Sequence, residues 1–488
     1  MKNQKGSISL FVLLSALFFL VVVTSVAVSV KNKEAKVDAE FARIKAIYEK
    51  DVGNEAQIYA ENFKPSATFK TGQEVNAKMK QLAGNSSATY TTTDENITEV
   101  RRATTISDAN KIDTNIVSTD DSNTPIYMWY DSGTIYYYTL DENPELNPNS
   151  SELFYNLTNV ESIQVEELDT SNVTTMHYLF RNCKKLMTLD VSNFDTSNVT
   201  NMEYMFCDCN KLTTIDVSGF NTEKVTGMSG MFDFCYRLEG LELSGFNTSE
   251  VTRMDTMFRS CNTLTNLNLS SFNTAKVTSM ISMFYSCGNL TNLDVSGFDT
   301  SKVTSMYQMF EDCEKLTSLD VSRFNTKNVT SMSKMFKNCY LLTSLDLSSF
   351  DTSKVTSMLQ MFEGCKELTN LDLSNFDTSQ VTNMGQMFDC CEKLNTLNLS
   401  DKFNTENVTT MRYMFIDCYE LTEIDLSSFD ASNVTNMDQM FGYCRKLESI
   451  DISSFDTSKV ENMSGMFKSC NNLTTIYVSD IFSTSNAI

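Results

Sequence analysis

The chain has 488 residues, a net charge of −23, 14 cysteines, 27 methionines, 32 phenylalanines and one histidine. Its 41% hydrophobic content supports a buried core and argues against wholesale disorder. The acidic balance argues against nucleic-acid binding, and a single histidine makes histidine-based catalysis and histidine metal sites poor readings.

Residues 6–30 carry no charged side chain, and Lys2 and Lys5 precede them. At about 1.5 Å per residue this segment is long enough for a tilted membrane helix. It predicts a single transmembrane anchor with the following residues outside the cell. The start, MKNQKG followed by SISLFVLL, also resembles a type IV prepilin leader, with Phe11 where that family carries Glu. That resemblance implies a pilin-like leader and a minor filament subunit as the alternative. Residues 31–85 continue with Val37, Phe41, Ile44, Tyr48 and Val52 at helical spacing, which predicts a helical stalk and linker ending in polar sequence.

Residues 86–158 change character. Ile126–Tyr130 and Ile135–Tyr138 flank Asp131-Ser132-Gly133-Thr134, the pattern of a β-hairpin. The position predicts a small β-rich cap over the first repeat.

Residues 159–478 are repetitive. The repeat phenylalanine falls at Phe180, Phe206, Phe232 and onward to Phe467, in steps of 26 residues with one step of 27 near Asp401-Lys402. Twelve units result. In the unit LTSLDVSRFNTKNVTSMSKMFKNCYL, starting at Leu316, Leu319 and Val321 alternate with polar residues as in a strand. Met332, Met335, Phe336 and Cys339 follow at i, i+3, i+4 and i+7, which predicts a short helix. A polar turn around Asn325–Asn328 joins them. The expected fold is an α/β solenoid, a right-handed leucine-rich-repeat-like stack of strand, turn and short helix. The short segment 479–488 reads as a tail; it carries no sorting signal, so anchoring is expected to fall to residues 6–30.

The motif V-T-x-M-x-x-M-F-x-x-C-x-x-L together with F-D-T-S resembles the BspA-type leucine-rich repeat surface proteins, over about two thirds of the chain. The resemblance implies a bacterial surface solenoid for adhesion and protein contact, without catalytic residues or cofactor. No nucleophile–base pair, phosphate loop or metal triad appears, so an enzyme is not expected.

Twelve cysteines, Cys183 to Cys470, stand three residues after the repeat phenylalanine. A disulfide framework or metal ladder is one reading; a column of small buried side chains is favoured, because each cysteine has two equal neighbours. Cys207 and Cys390 lie outside the column. The methionine pairs read as core at helical spacing. His177 reads as a lone exposed histidine.

The candidate binding residues are the outward positions of the strand: Asp190, Asp216, Glu242, Asp294, Asp320, Asp346, Asp372, Asp425 and Asp451, with Asn268 and Asn398 in the same column. A serine follows two residues later in each unit. In a parallel stack these carboxylates repel one another. They are expected to be capped by hydroxyls of adjacent coils, or to meet a divalent cation or a basic protein or cell-surface ligand. Calcium needs about six to eight converging oxygens, which a flat ladder does not readily supply. The residues beside each repeat phenylalanine and cysteine, such as Arg181, Asp233, Arg259 and Tyr340, vary between units and form a rim.

Overall fold

The computed structural model describes residues 65–485. The apolar segment 6–30 and residues 31–64 of the predicted stalk lie outside the described residues. Among the described residues no helix is long and apolar enough to cross a membrane.

The first element, α1 (Gly72–Leu82), starts at a capping box: Glu74 N–H donates to the Thr71 hydroxyl, and Thr71 N–H donates to the Glu74 carboxylate. Its inner face buries Val75 and Met79 against Phe69, Ile126, Met128 and Tyr137. Helical spacing alone puts residues 72–82 in the stalk and linker, apart from the cap. The structure packs them into one core with the cap, so a boundary at residue 85 divides a single unit. Helical spacing alone shows an apolar face but not what that face covers.

The cap sheet holds β1 (Glu99–Arg102), β2 (Tyr127–Asp131), β3 (Thr134–Tyr138) and β4 (Ser162–Ile163), in the order β2-β3-β1-β4. β2 and β3 form the expected antiparallel hairpin. Its two-residue loop, Ser132 and Gly133, takes positive φ at both positions (50° and 95°), which matches the twist of the flanking strands. β1 pairs in parallel with both β3 and β4, so the sheet runs from the hairpin into the start of the repeats.

In the repeats, Leu316, Leu319, Val321, Phe324, Val329, Met332, Met335, Phe336 and Cys339 of one coil are all buried. The repeat phenylalanines stack almost parallel from Phe180 to Phe467, at centroid spacings of 5.2–6.1 Å and interplanar angles of 3–12°. The 27-residue step leaves the stack intact, with Phe388 and Phe415 5.2 Å apart. Lys402 sits in the turn, where its carbonyl accepts from Thr378 N–H.

Two expectations are corrected. The strands are short and discontinuous. They pair as β5 (Asn266–Leu267) with β6 (Asn292–Leu293), β7 (Asn370–Asp372) with β8 (Thr396–Asn398), and β9 (Ser449–Asp451) with β10 (Thr475–Tyr477), all parallel. The shortness has a local cause: Ser322 N–H donates to its own coil's Asp320 carboxylate at 3.0 Å, so the chain bends away directly after Val321, and Ser374 and Ser453 end their strands in the same way.

The second correction concerns the predicted short helix. Met332–Cys339 is two consecutive turns, with Lys334 at φ 60° and Asn338 at φ 57°. Met335 N–H and Cys339 N–H close i−3 bonds to Met332 and Phe336. The alternate donors, Met332, Lys334, Phe336 and Asn338, bond carbonyls 25 residues ahead in the next coil. Each left-handed residue costs about 1–2 kcal/mol, and the bond to the neighbouring coil offsets it. Two such turns bury i, i+3, i+4 and i+7 just as a helix does, so the pattern alone does not separate them.

Threonine joins the coils at the opposite corner. Thr300 is buried; its hydroxyl donates to Asn325 O at 3.1 Å and accepts from Asn325 N–H at 2.8 Å. Thr222, Thr248, Thr326 and Thr352 repeat the arrangement. The sequence alone predicts only a polar turn there. The buried threonine at a fixed place in F-[DN]-T was the available signal.

Candidate functional site

All nine carboxylates of the outward column, Asp190, Asp216, Glu242, Asp294, Asp320, Asp346, Asp372, Asp425 and Asp451, are exposed. They are capped, but from within their own coil. The serine two residues on donates its N–H to each, at 2.8–3.0 Å. Ser218, Ser296 and Ser322 add their hydroxyls at 2.6–2.7 Å. The expected capping by hydroxyls of adjacent coils is thereby corrected; the Asp-x-Ser spacing closes a local turn before any neighbour is reached.

These bonds favour the ionised form. Serine hydrogen bonds hold Asp190, Asp294 and Asp425 below the usual carboxylate range, although Asp216, Asp320 and Asp451 in neighbouring coils push them the other way. One oxygen takes the serine N–H, and the carboxylate stays charged on an open surface.

Charges elsewhere on the coils are paired. Lys276 meets Glu250 at 2.7 Å, Lys393 meets Glu367 at 2.6 Å, and Lys446 meets Glu420 at 2.5 Å, each between successive coils. Lys337 pairs with Glu363 at 2.9 Å. Arg259 binds Asp233 through two bonds of 2.5 and 2.7 Å. Arg181 lies over the rings of Tyr155, Tyr178 and Tyr204, at 4.4–5.8 Å. Among the described residues no ladder carboxylate forms such an ion pair with Lys, Arg or His. Two shallow open depressions lie along the ladder. One is lined by Ile215, Asp216, Ser218, Gly240, Leu241 and Glu242, the other by Leu399, Ser400, Asp401, Asp425, Ser427 and Ser428.

The cysteines are free thiols. Along the column each thiol donates to the carbonyl of the preceding coil's repeat phenylalanine, as Cys339 does to Phe310 O at 3.2 Å. Burial pushes the column thiols up, Cys287 to about 12. Cys207 sits beside Asp208 and Asp233. Asp389, Cys390 and Asp417 bring one potential ligand atom each to within 4.8 Å of one another; this is the group among the described residues whose donors could hold a metal ion. The sequence alone assigns no metal residues there, because Asp417 lies one coil beyond the adjacent Asp389 and Cys390. His177 is half-buried rather than exposed, and stacks on Tyr178 at 3.7 Å.

A family model described as a Mycoplasma protein of unknown function, DUF285, matches residues 149–266, 235–344, 314–400, 341–423 and 395–486. No curated protein matches the sequence. Among solved structures, the functional domain of InlJ from Listeria monocytogenes, which includes a cysteine ladder, is similar at 16% identity. The match covers 68% of this chain and 59% of that one, with a TM-score of 0.21. A likeness at that score carries no argument about this chain.

Proposed function

The chain belongs to the DUF285 family of repeat proteins, and from that premise we propose that it is a non-enzymatic interaction protein that binds a basic protein or cell-surface ligand along its acidic ladder. One observation carries the reading. Carboxylates elsewhere on the coils, such as Asp233, Glu250, Glu367 and Glu420, pair with lysine or arginine from a neighbouring coil, whereas the ladder carboxylates are exposed without such a partner among the described residues, and Asp216 and Asp320 are held ionised by their serines. A row of fixed negative charge steers and selects a cationic partner.

The finer reading is a stack of twelve units displayed on the cell surface for adhesion, anchored through residues 6–30. It rests on the apolar segment and on the resemblance of the repeat motif to BspA-type proteins. A divalent cation is an alternative counterion for the ladder. The second reading, a minor pilin-like filament subunit, rests on the sequence around Gly6. Recovery of mature protein with its leader intact would exclude it.

The test is binding of the full chain to candidate cells and basic proteins, beside a variant carrying Asp216→Asn, Asp294→Asn, Asp320→Asn and Asp346→Asn. Binding should fall with added salt and be lost in the variant. Equal binding by both chains would overturn the proposal.

A further inference from the structure

The acidic ladder is not uniform along its length. In the surrounding coils the outward position two residues before each ladder carboxylate holds a polar side chain: Thr188, Thr214, Asn266, Asn292 and Ser318. In one coil it is Gly240, which is exposed and pairs in parallel with Thr214. Neither the backbone nor the packing calls for glycine at this place. Gly240 is not among the glycines of positive φ, and a Cβ there would meet no atom within 4 Å. The missing side chain leaves a notch in the ladder face, bounded by Ile215, Asp216, Ser218, Leu241 and Glu242. Complete coils stand on both sides of it, those of Phe206 and Phe258 among them.

The notch joins an apolar surface to two negative charges. Leu241 is only partly buried, whereas Leu189, Ile215, Leu267, Leu293 and Leu319 at the same place in other coils are buried. Asp216 and Glu242 occupy the same ladder position on adjacent coils. Ser218 gives both its N–H and its hydroxyl to Asp216 Oδ1, at 3.0 and 2.7 Å, and Ser244 N–H goes to Glu242 Oε1 at 2.8 Å. Asp216 Oδ2 receives no hydrogen bond among the described residues, and neither carboxylate pairs with a cation among them.

We propose that this notch seats an arginine side chain of the basic ligand and so fixes where that ligand lies along the ladder. The proposal rests on the ladder reading above and adds a place and a residue type to it. Charge complementarity selects a cation, and the partly buried leucine selects one with an aliphatic stem. The stem covers Leu241 and the edge of Ile215. A planar guanidinium, with five N–H donors in a fixed fork, then serves carboxylates on two coils at once. An ammonium is a compact point charge without that fork. In the neighbouring coils the side chains of Thr214 and Asn266 take up the space that the stem requires.

The probe is a fluorescent hexaarginine peptide added to the full chain in detergent, with binding followed by anisotropy. Gly240→Asn gives this coil the residue that Asn266 and Asn292 supply in the next two, and leaves the charge unchanged. It should weaken hexaarginine binding by about tenfold or more. Ser318→Asn, in the same column three coils on, should leave binding unaltered, and equal urea midpoints for the two variants show that both stacks are folded. Hexalysine, of equal charge, should bind more weakly than hexaarginine and lose nothing at Gly240→Asn. If Gly240→Asn binds hexaarginine as the parent does, while Asp216→Asn, Asp294→Asn, Asp320→Asn and Asp346→Asn together abolish binding, the notch is overturned and the ladder reading stands. Binding that survives the fourfold variant, or no binding by the parent, overturns both. Equal affinity for hexalysine overturns arginine as the occupant.

Discussion

Replacing Thr300 by valine tests the joint between coils. The change keeps the shape and removes the hydroxyl. The buried Thr300 Oγ1 serves both backbone groups of Asn325, a residue exposed to solvent, donating to Asn325 O at 3.1 Å and accepting from Asn325 N–H at 2.8 Å. A buried group left unsatisfied costs about 1–3 kcal/mol; with Asn325 partly open to water, about 1–3 kcal/mol is expected for the two bonds together. Thr304, four residues on, is exposed, and its hydroxyl donates to Thr278 O at 3.2 Å. Water can replace that bond, so Thr304→Val should cost about 0.5 kcal/mol or less. Urea denaturation of both variants beside the parent measures the difference, and amide exchange at Asn325 localises it. Thr300→Ser retains the hydroxyl and should recover most of the loss. Equal midpoints for Thr300→Val and Thr304→Val would refute the assignment of Thr300 as an inter-coil joint.

Other consequences can be checked separately. Asp216 and Asp320 titrate below their unfolded values, so their contribution to stability is present above the ordinary aspartate range and is lost as pH falls through the folded values. Ser322→Ala should raise the Asp320 titration seen by carboxyl NMR; an unchanged curve would exclude the Ser322 hydroxyl bond as its cause. Arg259→Ala strands the buried Asp233 carboxylate, which burial already pushes up to about 6. A loss of about 3–5 kcal/mol at pH 8 is expected, shrinking at pH 5 where Asp233 takes up a proton, and measurable by denaturation at the two pH values. With Cys287 raised to about 12, only about one of its thiols in 10⁴ is ionised at pH 8. A thiol reagent at pH 8 should therefore reach at most the partly exposed Cys390 and Cys470 in the native protein, and all 14 cysteines after denaturation. Rapid native labelling of Cys287 would contradict its burial.

Much of the stack was legible because the same constraint is written out coil after coil. Phe206, Cys209 and Met202 return at a constant spacing, and their rings and thiols stack at that spacing. The outward column was legible too, since Asp320 lies between two buried residues, Leu319 and Val321. The two columns of left-handed residues were not read, although Asn182, Asp208, Asp312, Asn338, Gly364 and Asp417 are types that tolerate positive φ. Their companions Tyr178, Phe234 and Gln308 are not such types, and they obscured the signal.

What the sequence determined by itself was the repeat length, the membership of the core and the sign of the outward column, because burial and charge follow directly from residue type and spacing. What only the tertiary structure decided was the path of the backbone between Met332 and Cys339 and the partner of each carboxylate. A helix and a pair of left-handed turns bury the same side chains. The choice falls to the carbonyls of the next coil, which accept the alternate N–H groups that a helix would have kept for itself.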